Sequence, residues 1–211
     1  MVTRKSYLFD KNPSIFYNFD MKKFLTILFL ILGMIQCFAS EELSKQATAF
    51  YSDNNYDKTM ELLLLINEKE RSPQDWLLLG NLLDEKGEKE QAIFMYQKAA
   101  EVDTKYYKPY YNIANIYMEQ SRYNMAVENY KKAAKYNPAN AYVYYNLACA
   151  YLKQGKTRDA KNALIKAVTI KNDIPEVHYN LAYVYKKLNK PKLAKTYLDN
   201  YNKLMDKEQS L

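Results

Sequence analysis

The chain has 211 residues, of which 48% are hydrophobic and 26% charged, a balance that excludes a disordered or low-complexity protein. Only 4 Gly and 6 Pro are present, too few to form the many turns of an all-β fold, so long helices are predicted. The formal net charge of +7 is uneven, because residues 40–106 carry 8 basic against 14 acidic side chains and residues 107–211 carry 18 against 8.

The first predicted element is the apolar run of residues 24–38, which follows Met21-Lys22-Lys23 and precedes Ala39. A charged start, a short apolar core and a small residue at its end are typical of a secretory signal, with cleavage after Ala39. Two alternatives stay open, lipidation at Cys37 and retention of the segment as a membrane anchor. All three place the rest of the chain outside the cytoplasm, in the periplasm or cell envelope.

Residues 1–20 lie upstream of this complete signal, which has its own initiating residue at Met21. They contain no apolar period, so we expect translation to start at Met21. In the alternative, they form a short cytoplasmic tail on an uncleaved anchor.

The rest of the chain is an internal repeat with a period of 34 residues. One helix of each repeat begins its apolar face with an aromatic residue or histidine: Trp76, Tyr110, Tyr144 and His178. Apolar residues follow at offsets of 3, 4 and 7, the spacing of one helical face. A second helix repeats small residues at two positions: Ala92, Ala126, Ala160 and Ala194, then Ala99, Ala133 and Ala167. Between the helices stand residues suited to a left-handed turn: Gly87, Ser121, Gly155 and Asn189.

These positions resemble the tetratricopeptide repeat. The resemblance implies an all-α fold, a right-handed superhelical array (α-solenoid) of antiparallel helix pairs, with units at residues 73–106, 107–140, 141–174 and 175–208. A degenerate unit is expected at residues 40–72, where Thr59 and Ile66 replace small alanines. Tyr201 replaces the last recurring alanine, so we expect the array to end there with an extended capping helix.

In this family the first helices line a concave groove that binds an extended peptide or a partner helix. The resemblance places eight side chains of this chain in the groove: Tyr111, Tyr145, Tyr179, Asn81, Asn115, Tyr142, Tyr183 and Lys108. Tyrosine combines a large apolar ring with a polar tip and is common at recognition surfaces. A tyrosine-lined groove for a protein or peptide is therefore predicted.

Asparagine recurs just after the groove tyrosines, at Asn112, Asn146 and Asn180. Their amides either contact a partner or bond to the neighbouring helix. Some family members hold a partner's C-terminal carboxylate with a Lys, Asn and Arg set. No arginine accompanies Lys108 and the groove asparagines, so this clamp is not expected here.

No residue pattern indicates catalysis, a metal site or a cofactor. The single histidine, His178, occupies an aromatic core position and has no second ligand nearby in sequence. Cys149 lies on a first helix without a histidine to activate it. No phosphate loop or nucleophile elbow is present, so the sequence predicts a non-catalytic protein with no cofactor.

A basic patch is predicted in the last unit, formed by Lys186, Lys187, Lys190, Lys192 and Lys195. It favours an acidic partner, an anionic membrane surface or association with the acidic end of a second copy. We therefore predict a scaffold or adaptor of the cell envelope. A self-associating structural component and an accessory subunit of an envelope enzyme complex are the alternatives, and nucleic acid is not an expected partner.

Overall fold

A computed structural model describes residues 21–209; the upstream extension predicted at residues 1–20 and the last two residues lie outside this part. The described part contains α-helices, one short 3-10 helix at Glu68–Glu70 and no strand. The α-helices are α1 (Met21–Ser52), α2 (Tyr56–Leu65), α3 (Pro73–Glu85), α4 (Lys89–Val102), α5 (Tyr107–Glu119), α6 (Tyr123–Tyr136), α7 (Ala141–Lys153), α8 (Thr157–Ile170), α9 (Pro175–Lys187) and α10 (Pro191–Gln209). The all-α prediction is confirmed.

The helices form five successive antiparallel pairs, and each second helix also packs against the first helix of the next pair. The turn within each pair contains one residue with positive φ: Asn54, Gly87, Ser121, Gly155 and Asn189. Glycine adopts this left-handed conformation without strain, and asparagine tolerates it better than most residues. The four turns predicted from the sequence are thus observed, with a fifth at Asn54.

Small residues allow the pairs to approach one another closely. The alanines that recur on the second helices are fully buried at Ala92, Ala126, Ala160, Ala99, Ala133 and Ala167. Close-packed interiors leave no space for a larger side chain at such positions. Contact between methyl groups and the facing helix therefore sets the distance between successive pairs.

The degenerate unit packs against α3 and Ala99 in a core cluster separate from that of the later units. Thr59 and Ile66 are buried where the other units have alanine. The hydroxyl of Thr59 donates to the carbonyl oxygen of Asn55 at 2.8 Å, which satisfies it within its own helix. The α2 helix nevertheless contacts α3 less extensively than α4, α6 and α8 contact their following helices.

A buried carboxylate joins this unit to the next. Asp75 is only 1% exposed and forms a capping box with Ser72 at the start of α3. Its other oxygen accepts a hydrogen bond from the Ser44 hydroxyl of α1 at 2.5 Å. The repeat pattern does not predict this link, because Asp75 lies at a position where the other units have Pro109, Val143 and Val177.

The apolar N-terminal segment and the first repeat helix are one continuous helix. The α1 helix runs for 32 residues through Ala39 without a break. Among the described residues only α1 has the length and composition to cross a membrane, a property that cleavable signals near the N-terminus share. Ser40, just after the predicted cleavage position, is buried and donates a hydrogen bond to Glu70.

Replacing Ala133 with leucine tests the close approach of α6 to α7. The Ala133 side chain is fully buried in a cluster with Ala134 and Val143, so Ala133→Leu should overpack the contact and lower the free energy of unfolding by about 1–3 kcal/mol. Urea denaturation measures the change. Glu128→Leu, on the exposed side of α6, is the control and should change stability by less than about 0.5 kcal/mol. Equal stability of the two variants would contradict the packing.

Candidate functional site

The predicted groove residues lie on the first helices α3, α5, α7 and α9, and they differ in exposure. Tyr111 and Tyr145 are half-buried and pack against the main core cluster. Lys108 is exposed, and Asn81 and Asn115 are partly buried. Three tyrosines are the most exposed: Tyr142, Tyr179 and Tyr183, at 49%, 53% and 46%. Exposed aromatic surface is therefore concentrated toward the C-terminal half of the row.

The recurring asparagines connect successive first helices. The Nδ2 of Asn112 donates to Oδ1 of Asn81 at 3.0 Å, 31 residues earlier. Asn146 repeats this with Asn115 at 3.5 Å and also donates to the Tyr111 hydroxyl at 2.8 Å. Of the two roles left open by the sequence for these amides, the structure shows the bond to the neighbouring helix.

The same asparagine oxygens accept from buried tyrosines of the second helices. The Tyr96 hydroxyl donates to Asn81 at 2.9 Å, and the Tyr130 hydroxyl donates to Asn115 at 2.6 Å. Asn81 and Asn115 therefore hold their own second helix and the next first helix together, and they contribute less to an open groove surface than the sequence suggested. A buried polar group needs such partners, because leaving one unpaired is costly.

The third unit replaces both members of this pair. Leu164 stands where Tyr96 and Tyr130 stand, and Cys149 stands where Asn81 and Asn115 stand. The Asn180 amide then lies 3.7 Å from the Cys149 sulfur, a weak acceptor. Loss of the donor and of the strong acceptor in the same unit leaves no buried hydroxyl unpaired. Because both residues of the pair are replaced in the same unit, the sequence indicates that these two positions are in contact.

Burial governs the titration of these side chains. Desolvation raises the pKa of Tyr96, Tyr130 and Tyr145, and it raises the pKa of Tyr106 to about 12. Burial also raises the pKa of the Cys149 thiol, which keeps it protonated at neutral pH. A protonated thiol is a poor nucleophile, so this environment does not activate Cys149.

His178 reproduces a contact of the aromatic residue it replaces. Its Nε2 lies 2.7 Å from the carbonyl oxygen of Asn172, as the Tyr110 hydroxyl lies 3.2 Å from that of Thr104. The ring is buried and lies 5.8 Å from that of Tyr197. Within residues 21–209 no group of three His, Cys, Asp or Glu side chains is placed to hold a metal ion.

The predicted basic patch lies at the turn between α9 and α10, and all five lysine side chains are exposed: Lys186, Lys187, Lys190, Lys192 and Lys195. The Lys187 ammonium lies 5.6 Å from the Tyr183 ring centroid, within cation–π range. The patch therefore adjoins the exposed tyrosines of α9.

Removing one buried hydroxyl tests the asparagine network. Tyr130→Phe leaves Asn115 without its 2.6 Å donor, so we expect the free energy of unfolding to fall by about 1 kcal/mol in urea denaturation. Tyr123→Phe is the matched control, because its hydroxyl bonds to Ser121 at the surface. If the two variants are equally stable, the buried bond contributes nothing beyond a surface one.

Alkaline pH should destabilise the fold. Tyrosines of the unfolded chain ionise near pH 10, whereas burial raises the pKa of Tyr96 and Tyr130 in the folded state. The unfolded state loses these protons first, so the free energy of unfolding should fall as the pH rises above about 10. Urea denaturation at pH 8, 10 and 11 measures this. The decline should be shallower in Tyr130→Phe; an identical slope would contradict the assignment.

Comparison with known proteins identifies the repeat. A tetratricopeptide repeat model matches residues 76–106 and 175–204, and a TPR repeat model matches residues 114–155 and 150–189. No curated protein shows significant sequence similarity to the chain.

Several solved structures share the fold. A MamA RS-1 double mutant superposes with a TM-score of 0.72 at 17% identity, covering 82% of this chain and 98% of its own. Another MamA crystal structure gives 0.70 at 18% identity and covers 78% and 97%. MamA AMB-1 gives 0.67 at 19% identity and covers 82% and 93%. Likenesses at this level of identity establish the architecture. The repeat matches, which cover most of residues 76–204, show that the chain belongs to the tetratricopeptide repeat family, whose arrays are scaffolds for protein–protein interaction.

Proposed function

We propose that this array is a non-catalytic adaptor of the cell envelope that binds a peptide or partner helix along the row of first helices. The observation that carries the proposal is the exposure of Tyr142, Tyr179 and Tyr183 on α7 and α9, beside half-buried Tyr145. Large aromatic side chains that keep both a ring and a hydroxyl in solvent supply contact area with little entropy cost.

The hydrogen bonds among the first helices support this role. Asn112 and Asn146 tie α5 and α7 to the preceding first helices, so the positions of Lys108 and Tyr142 are fixed before a partner binds. A preorganised surface loses less entropy on binding than a mobile one. The position of Lys108 on α5, exposed and one unit before Tyr142, adds a cation for an acidic or carboxylate group of the partner.

Placement in the envelope rests on α1. The apolar half of this helix extends beyond the repeat array, and none of its most apolar 18-residue stretch is buried in the protein. An exposed apolar helix of this length needs a lipid environment or removal by a signal peptidase. With Lys22 and Lys23 on the cytoplasmic side, as the positive-inside rule favours, either outcome exports the array.

A photo-crosslinking amino acid at the first-helix row tests the binding proposal. Placed at Tyr142 or Lys108 in the native host, it should trap the same partner, whereas placed at Glu128 on the exposed face of α6 it should not. The affinity of the purified partner for the full chain is then measured for Tyr142→Ala, with Glu128→Ala as the control. We expect a loss of at least about tenfold for Tyr142→Ala only. Equal crosslinking from α6, or equal affinity of both variants, would contradict the proposal.

A further inference from the structure

The C-terminal end of the array has an apolar face between α9 and α10. A cavity of about 440 Å³ lies there, and its apolar lining includes Tyr179, Ala182, Tyr183 and Leu198. No described helix covers this face, since α10 is the last helix of the described part. We name these four residues, with Ala194, the end face.

Inner units bury the equivalent positions. Leu198 is 42% exposed, whereas Tyr130 and Leu164, at the same position of earlier units, are 2% and 0% exposed. The inner units differ by having a following first helix, which packs against each second helix. Tyr183 likewise replaces Asn115 and Cys149, which meet an asparagine of the following helix. The end face is thus a helix-binding surface without its helix.

A further unit in the same register does not fit this surface. The position that approaches the next first helix is a fully buried alanine at Ala133 and Ala167, but it is Tyr201 in the last unit. The Tyr201 ring lies 5.3 Å from that of Tyr179 and fills the place of closest approach. A docking helix must therefore lie farther out, over Leu198 and Tyr183.

Two copies cannot pair through their end faces, because both faces are basic and placing lysine against lysine carries an electrostatic penalty. The first unit of a second copy is acidic, so the oligomeric state of the free chain is one outcome of the test below.

The charge around the end face selects the chemistry of the occupant. Residues 175–207 contain seven lysines against three acidic residues. Lys186 and Lys195 line the cavity itself, and no carboxylate of the described residues forms an ion pair with either. We infer that the end face binds an amphipathic helix of another protein, with apolar residues on one side and acidic residues flanking them, at a site that shares Tyr179 and Tyr183 with the C-terminal end of the first-helix row and extends onto α10.

Two synthetic helical peptides test this inference. They share leucines at i, i+3, i+4 and i+7, and they carry either glutamate or lysine on the flanks. Binding to the full chain in zwitterionic nanodiscs is measured by fluorescence anisotropy, with empty nanodiscs as the reference. We expect the glutamate peptide to bind at least about tenfold more tightly than the lysine peptide. No binding, or equal binding of both peptides, would overturn the inference.

Variants assign the site. Leu198→Glu should weaken the glutamate peptide at least about tenfold, and Lys186→Glu with Lys195→Glu should reverse the preference toward the lysine peptide. All three residues are exposed, so these changes should leave folding intact. Tyr142→Ala, in the first-helix row, should leave peptide binding unchanged. An effect of Tyr142→Ala equal to that of Leu198→Glu would move binding to the part of the row on α7 and refute a site at the end face. Sedimentation of the chain without peptide measures its oligomeric state. If the chain is an oligomer and Leu198→Glu makes it a monomer, the occupant of the end face is a second copy and the inference is overturned.

Discussion

The contact between each second helix and the first helix of the next unit is the interaction on which the rest of the structure depends. Ala99, Ala133 and Ala167 are fully buried there, and each helix pair has too little apolar area to be stable alone. Stability is therefore a sum of contacts between neighbours. No disulfide supplements it, since Cys37 and Cys149 are both free thiols.

Hydrogen bonds between polar side chains define the relative position of the units beyond what apolar packing defines. Contacts between methyl groups determine the distance between two units, but they do not fix the position of one unit along the other. The bonds from Tyr96 and Asn112 to the same oxygen of Asn81, repeated by Tyr130 and Asn146 at Asn115, set the lateral positions of α5 and α7. Tyr142 therefore lies on a helix whose spacing is defined twice, by packing and by hydrogen bonds. The α9 helix, which carries Tyr179 and Tyr183, has only the weak contact of Asn180 with Cys149.

The period of the sequence was sufficient to predict the helix pairs and the turns. A residue such as Ser121 or Asn189 between two apolar periods has few other roles, so its positive φ followed from the pattern. Contacts across units were harder to predict. Whether Asn146 faces a partner or Tyr111 depends on how far each unit rotates relative to the last, which a linear period does not specify.

Features that occur once in the sequence were missed for a related reason. Asp75 breaks the repeat at a position that is apolar elsewhere, and its partner Ser44 belongs to the degenerate unit, where alignment is weakest. The continuity of α1 through Ala39 is also not predicted, because a signal and a repeat helix have different sequence patterns although both favour a helix. The bond of Ser40 to Glu70 shows that the junction packs as part of the array.

The end face lacks the contact that a following unit makes in the rest of the described array. Leu198 and Tyr183 occupy the positions that a following helix would bury, and α10 has neighbours on one side only. A helix packed on one side only should open locally at lower free energy than one packed on both sides. The row runs along the first helices of successive units, and the end face lies on the last unit of the same scaffold.

Hydrogen exchange of the full chain, followed by mass spectrometry of peptides from each helix, tests this account most directly. We expect backbone amides in the middle of α10 to exchange at least about tenfold faster than those in the middle of α6, with α4 and α8 as slow as α6. Equal protection of α10 and α6 would contradict the claim that contacts between neighbouring units hold the array together.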